Sequence, residues 1–293
     1  MLYDCIIIGA GPGGLQAAIY LGRYNRKALL IDRGGGRTRH ARMIENFLTQ
    51  KAISGNEIID RGIEQAESFN VQVEKGIVTT VTKGERFEVS TATAVYRSKF
   101  VIVSSGVYDH FPPIENFHKF LGTGLYTCVD CDGYNTKGKK LLIVGNSANT
   151  VRLAFGMKQI YTDDVTLILY SYDPPEGYKE ELRAAGIPLL KGSPMKIIGE
   201  TSIEAVEMKD GARVPCEAIM SNFGYKLNDE FLSGLSLKKD VNGFKYITNH
   251  NYESSLSGLY IVGPLNTGHD QVVIAAGEGA VAAIDIKSRL LEL

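Results

Sequence analysis

One segment near the start of the chain tolerates few folds. Residues 3 to 14 read Tyr-Asp-Cys-Ile-Ile-Ile-Gly-Ala-Gly-Pro-Gly-Gly, an apolar run of strand character that stops at glycines. Leu15 to Gly22 follows with helical spacing, and Ala28 to Ile31 is a second short apolar strand. Strand, turn, helix and returning strand make a βαβ unit, which requires a parallel sheet. Gly9, Gly11 and Gly14 are spaced G-x-G-x-x-G in the turn, with Pro12 and Gly13 between them, and Asp32 follows the second strand 18 residues past Gly14. The glycines permit a tight turn and close backbone approach, the helix N-terminus holds a pyrophosphate, and Asp32 accepts from a ribose hydroxyl. In this context the motif predicts a dinucleotide site. It does not separate FAD from NAD(P), and a turn that merely packs a helix closely on its sheet has the same spacing.

The pattern starts a second time. Lys140 to Gly145 is a buried-strand candidate, a helical stretch runs from Asn149 to about Gln159, and Val165 to Tyr170 returns as a strand. Between the two starts, Val71–Val73, Val78–Val81, Phe87–Ser90 and Phe100–Val103 suit an antiparallel flap and a returning parallel strand. Gly258 to Gly263 is another buried strand, and Val273 to about Leu290 carries a long helical pattern. A chain of 293 residues fits two domains at roughly 150 residues each. The crossings between them are expected near residues 112 and 238.

Charge and cysteine usage narrow the function classes. Lys and Arg number 32 against 33 Asp and Glu, a net charge of −1, so no single-sign field favours nucleic acid or an anionic membrane. The most apolar stretch, residues 5 to 22, is broken by glycines, Pro12 and Gln16, and falls short of the roughly 20 apolar residues of a membrane span. With Asp4 ahead of it, it does not read as a signal peptide, and a cytoplasmic location is expected. Four cysteines are too sparse for a secreted disulfide scaffold. Cys128 and Cys131 form C-x-x-C, a spacing that brings two sulfurs to disulfide distance. Half of a zinc site has the same spacing, but Cys5 and Cys216 stand isolated and no histidine pair has ligand spacing, so redox chemistry is expected and metal is not. Cys5 and Cys216 read as small core residues.

Taken together and in order, Gly9 to Gly14, Glu45-Asn46-Phe47, Ser104-Ser105-Gly106, Cys128-Val-Asp-Cys-Asp-Gly-Tyr134 and the block Gly263 to Gly279 resemble the low-molecular-weight thioredoxin reductase family along essentially the whole chain. The resemblance implies an α/β fold of two Rossmann-like dinucleotide-binding domains: residues 1–112 and 238–293 holding FAD, and an inserted NAD(P)-type domain, 113–237, carrying the cysteines. It implies a homodimer and an oxidoreductase that passes electrons between FAD and Cys128/Cys131 and on to a thioredoxin-like partner. By the same resemblance, Cys131 faces the flavin, Cys128 attacks the partner's disulfide, and Asp132 stands where the family keeps its proton-transfer acid. A partly buried carboxyl suits that task, although a helix-capping aspartate would sit there too. The expected cofactor residues are Gly9, Gly11, Pro12, Gly13, Gly14, Asp32, Arg33, Asn46, Gly106, Gly263, Gln271 and Val272.

Two regions depart from the family. The second turn reads Gly145-Asn-Ser147-Ala-Asn-Thr150, so the second glycine is Ser147 and the third small residue is Thr150. Where the family places a histidine-arginine-arginine cluster for the 2′-phosphate of NADPH, this chain has Tyr170-Ser-Tyr-Asp173-Pro-Pro-Glu176. A dianionic phosphate would meet acids there, so NADPH is disfavoured, while NADH stays open because Asp173 could accept from a free ribose hydroxyl. The family's Gly-Asp in the last block is Gly263-Pro264 here, and proline has neither the acceptor nor the N–H, while Asp270 replaces an arginine. The donor is therefore expected to differ from NADPH, and reduced ferredoxin is one candidate. The basic loop Arg33 to Arg42 is compatible with an acidic donor protein, with support of the pyrophosphate, or with a solvated loop. A dithiol oxidase that delivers electrons to oxygen, and a non-catalytic flavin- or thiol-based redox sensor, are the rival readings.

Overall fold

The opening apolar run forms the strand Leu2–Ile8, whose Cys5, Ile6 and Ile7 are fully buried, as a strand covered on both faces must be. It pairs in parallel with Ala28–Asp32 on one side and Val95–Val103 on the other. Gln72–Lys75 adds a further parallel strand beyond Ala28–Asp32. The strand Val95–Val103 serves two neighbours in succession. Val95–Ser98 pairs antiparallel with Phe87–Thr91, itself paired with Val78–Lys83, while Val101–Val103 takes Leu259–Ile261 as a parallel neighbour. The flap and the returning strand expected over residues 71–103 thus share one longer strand. Its exposure alternates up to Lys99 and then becomes continuous burial from Phe100, the signature of a change from a half-solvated to a fully covered position.

The computed structural model describes residues 1–292. The chain divides into two compact units, Met1–Tyr108 with Lys226–Leu293, and Asp109–Tyr225. The first contains the seven-stranded sheet just described. Its helices Pro12–Arg23, Gly55–Ser68 and Val272–Glu292 contribute to one core that joins Leu15, Ala18 and Leu21 to Ile59, Ala282, Ala283 and Ile286. Alanines and glycines at the crossing let the first and last helices touch backbone to backbone. A Cβ on Gly279 would lie 1.9 Å from the Gly13 carbonyl oxygen.

The second unit holds a five-stranded parallel sheet in the order Leu189–Leu190, Val165–Leu169, Leu141–Gly145, Ala218–Asn222, Leu125–Tyr126. A three-stranded antiparallel sheet, Pro194–Ile198, Ala205–Met208 and Arg213–Pro215, packs in the same unit. The helix Ala148–Ile160 covers the parallel sheet through Val151, Ala154 and Met157.

The return crossing falls at Tyr225/Lys226, ahead of the residue 238 expected from sequence, and the outward one at Tyr108/Asp109 instead of 112. Residues 226–237 stay with the first unit for a local reason. The Asn228 N–H donates to the Gly106 oxygen (3.0 Å), the Ser105 hydroxyl donates to the Asn228 oxygen (2.6 Å), and Leu232 is buried. Among the described residues no helix is long and apolar enough to cross a membrane.

Candidate functional site

The first glycine turn is built so tightly that side chains are excluded from it. Gly9 has φ +101°, and a Cβ there would stand 2.4 Å from the Ser104 oxygen. A Cβ on Gly14 would lie 2.1 Å from the Gly9 oxygen, and one on Gly13 2.9 Å from the Ala275 oxygen. The Gly14 N–H donates to the Ser104 hydroxyl at 2.8 Å, which ties the helix start to the end of the neighbouring strand. Gly11 is the N-cap and Pro12 the first helical residue, and Gly11 brings no side chain of its own to this end. The positive end of the helix therefore remains available to an anion.

Asp32 closes one side of the same turn. Its two carboxylate oxygens accept from the Ala10 N–H (3.0 Å) and the Gly34 N–H (2.9 Å), leaving lone pairs for a further donor. Gly34, Gly35 and Gly36 all have positive φ, and a Cβ on any of them would meet nothing within 4 Å, so the loop beyond Asp32 borders open space. Gly106, with φ +70°, borders open space as well. Arg33 places its guanidinium over the Tyr108 ring, 4.3 Å from the centroid. The other charges of the basic loop are partly engaged: Arg37 pairs with Asp270 (3.6 Å) and Arg39 with Asp60 (2.8 Å).

The C-terminal block supplies the rest. The Asn46 side-chain amide donates to Gln271 Oε1 at 3.1 Å, joining two expected cofactor residues that lie far apart in sequence. Val272 begins the last helix, and Gly263 turns with φ +76°. Asp270 pairs with Lys245 at 2.8 Å. Sequence reasoning missed Glu278, which is 2% exposed and accepts from the Gly263 N–H and from the Asn266 side chain. Burial pushes its carboxyl above the ordinary carboxylate range. The glycine turn, its helix end with no side chain at the N-cap, the Asp32 carboxylate and the open glycine loop fit a pyrophosphate-bearing dinucleotide such as FAD. Gly9, Gly11, Pro12, Gly13, Gly14 and Asp32 form one group, Asn46 and Gln271 a second, and Gly263 a third around Glu278.

In the second unit Cys128 and Cys131 form a disulfide, with Cα atoms 5.3 Å apart. The backbone brings them together through one helical turn, Val129–Asp132, in which Cys128 is the N-cap and its sulfur accepts from the Cys131 N–H (3.2 Å). Cys131 is exposed and Cys128 half-buried. Asp132 ends the turn, and its N–H donates to the Cys128 oxygen at 3.0 Å. Gly133 follows, where a Cβ would come 2.6 Å from the Tyr161 ring and could be accepted only if that ring moved. Cys5 and Cys216 are buried thiols. Burial raises both above the usual thiol range, Cys216 to about 12.

The second strand–turn–helix carries side chains where the first has glycine. Thr150 is fully buried, and its hydroxyl donates to the Asn222 side-chain oxygen (3.1 Å) and stands 3.3 Å from the Ser147 hydroxyl. A Cβ on Gly145 would meet Thr150 Oγ1 at 2.3 Å. Past the next strand, Asp173 pairs with Lys179 (3.0 Å), and Glu176 pairs with Arg183, so the cations of the Glu176–Ala184 helix are bound to these acids.

Two strand–glycine-turn–helix frameworks and a C-x-x-C disulfide define an oxidoreductase whose substrate electrons pass through sulfur. The sequence pattern of the family described as pyridine nucleotide-disulphide oxidoreductase matches residues 3–279, and the chain belongs to that family. It is a flavin-dependent oxidoreductase acting on disulfides. It is 27% identical to a "34.2 kDa protein in rubredoxin operon" of Clostridium pasteurianum, covering 96% of this chain and 95% of that protein. It is 26% identical to the thioredoxin reductase of Bacillus subtilis, covering 100% and 96%. Among solved structures, the thioredoxin reductase of Streptococcus pyogenes superposes with a TM-score of 0.92 at 25% identity, covering 100% of this chain and 99% of that one.

Proposed function

We propose that this protein reduces the disulfide of a thioredoxin-like protein with electrons taken from a donor other than NADPH. The Cys128–Cys131 disulfide, held in a single helical turn of a chain from this family, carries the reading. FAD, when bound, supplies the two-electron store. Gly9 to Gly14 and Asp32 would hold its pyrophosphate and ribose, with Arg33, Asn46, Gly106, Gly263, Gln271 and Val272 around the remainder. Two electrons and two protons convert the disulfide to two thiols. The Cys128 thiolate then attacks the partner's disulfide, forming a mixed disulfide and expelling one partner thiolate. Cys131 attacks that mixed disulfide, restores the Cys128–Cys131 bond and releases the reduced partner. Asp132, at the end of the same turn, exchanges the proton that a leaving thiolate needs.

The identity of the donor is argued from the second turn. Ser147 and Thr150 stand where glycine or another small residue gives pyrophosphate access, and Asp173 and Glu176 occupy the stretch where the resembling family keeps its 2′-phosphate cations. NADPH is disfavoured on both counts and NADH on the first. A reduced ferredoxin is the proposed donor. The C. pasteurianum relative, named for its place in a rubredoxin operon, is in keeping with a protein carrier. We take the active form to be a cytoplasmic homodimer in which the second unit keeps the family's NAD(P)-type fold without its nicotinamide.

The deciding experiment is an anaerobic titration of the oxidised flavoprotein, following the visible flavin band while NADPH, NADH and then reduced ferredoxin are added. Bleaching by ferredoxin alone is the expected result, and rapid bleaching by either nicotinamide overturns the donor assignment. Cys128→Ser and Cys131→Ser variants should each lose at least about a thousandfold in thioredoxin reduction. Full activity in either would remove the disulfide from the mechanism. Thiol-dependent hydrogen peroxide production would indicate the oxidase direction instead.

A further inference from the structure

The turn that follows Gly263 is held by groups to which the chemistry above assigns no task. Pro264, at the position after Gly263, can neither donate from its backbone nor accept with a side chain. The acid in this neighbourhood comes instead from the last helix. Glu278 reaches back so that one carboxylate oxygen, Oε2, accepts both the Gly263 N–H and the Asn266 amide (2.8 Å). Asn266, itself 1% exposed, passes the constraint along: its side-chain oxygen accepts the Gly268 N–H at 2.6 Å, and its amide also donates to the Ile261 oxygen at 3.3 Å. The turn closes around the carboxylate, because a Cβ on Gly268 would come 3.0 Å from the other oxygen, Oε1. Lys245 fixes the far end by donating to the Gly268 oxygen (3.2 Å) and to Asp270 (2.8 Å), one residue before Gln271.

Burying a carboxylate is unfavourable unless its hydrogen bonds are made, and here two donors converge on it from a segment with no other acid inside it before Asp270. We propose that Glu278 is a positioning residue for FAD: from the last helix it fixes the Gly263–Gly268 turn that, after Pro264, has no acid of its own. The proposal rests on the reading that this block faces the flavin. Because both bonds fall on a single oxygen, an acceptor without charge should serve in place of the carboxylate. Glutamine therefore fulfils the role, whereas alanine leaves the Gly263 N–H and the Asn266 amide without this acceptor.

The test measures FAD binding to apoprotein by quenching of flavin fluorescence, together with the visible flavin spectrum and the far-ultraviolet circular dichroism of each apoprotein. Glu278→Ala, which removes the acceptor of both buried donors, is expected to weaken FAD by at least about tenfold and to change the vibronic structure of the flavin band. Glu278→Gln is expected to stay within about threefold of wild type, with an unchanged band. Wild-type affinity in Glu278→Ala, or an equal loss in both variants with native dichroism, overturns the proposal. Should Glu278→Ala not fold, Glu278→Gln decides alone: retention supports the proposal and loss in a folded apoprotein overturns it. A wild-type apoprotein that takes up no FAD overturns instead the flavin reading on which the proposal rests.

Discussion

The two glycine turns of this protein begin from one plan and end in opposite conditions. In the first, Gly9 and Gly14 pack backbone against backbone, and the Ser104 hydroxyl reaches the helix start from the neighbouring strand. In the second, Thr150 fills the position of Gly14, and its hydroxyl is engaged by Asn222 and lies beside Ser147. A helix end offers donors to a phosphate only while the space in front of them stays open. The comparison teaches that one framework can pack its turn with backbone alone or with the side chain of Thr150, and on the reading proposed above that difference decides which turn takes a cofactor.

The most severe way to break the contrast is to impose the second turn on the first. Gly14→Thr would drive its Cβ to within 2.1 Å of the Gly9 oxygen, so flavin should be absent from the purified protein and stability should fall by about 3 kcal/mol or more. Flavin content and urea unfolding measure both, and a fully loaded Gly14→Thr protein would show that the glycine is not what distinguishes the turns. The reverse change, Ser147→Gly with Thr150→Gly, should reopen the second turn and improve NADH affinity by at least about tenfold, read by calorimetry. No gain would place the obstacle elsewhere, at Asp173 or in the sheet.

A smaller effect isolates the hydroxyl. Thr150→Val keeps the shape but leaves Asn222 without its donor, and should lower stability by about 1 kcal/mol. An unfolding midpoint equal to wild type would make Thr150 a space filler only. The smallest effect concerns pH. Burial raises Glu278, with Asp270 adding to the shift, while its hydrogen bonds and Lys245 oppose it. A raised acid binds its proton more tightly in the folded state, so its stabilising contribution is complete below the unfolded carboxyl value of about 4.3 and is lost as pH rises through the folded value. The stability of wild type relative to Glu278→Gln should therefore grow as pH is lowered through that window. Urea midpoints at several pH values give the trend, and a difference that shrinks on acidification would mean that the hydrogen bonds outweigh burial.

Local patterns were legible and distant partnerships were not. The Gly9 to Gly14 spacing and the cysteine pair announce themselves because their chemistry lies within a few consecutive residues. The helix Gly55–Ser68 is equally open to reading, since Ser54 accepts from the Glu57 N–H in a Ser-x-x-Glu start ahead of an amphipathic stretch. Asn222, 72 residues from Thr150, has no motif that marks it as a partner. Glu278 looks like a surface acid between two glycines, and only the close crossing of the first and last helices makes that face an interior one. The compact-unit boundary at Tyr225/Lys226 is not marked in the sequence, because the bonds holding residues 226–237 run to Ser105 and Gly106, well over a hundred positions earlier.

The four cysteines sort themselves for chemical labelling. Alkylating reagents attack thiolate, and at neutral pH Cys216, raised to about 12, and Cys5, raised further, present almost none and lie beneath the surface. Iodoacetamide applied to the reduced native protein should thus mark residues 128 and 131 and spare the other two, so the mass added to the intact chain reads the oxidation state of the redox pair directly. The same asymmetry makes a single-serine variant suited to trapping its partner: the one accessible thiol that remains can hold a mixed disulfide with no neighbour to release it and no buried cysteine close enough to the surface to compete.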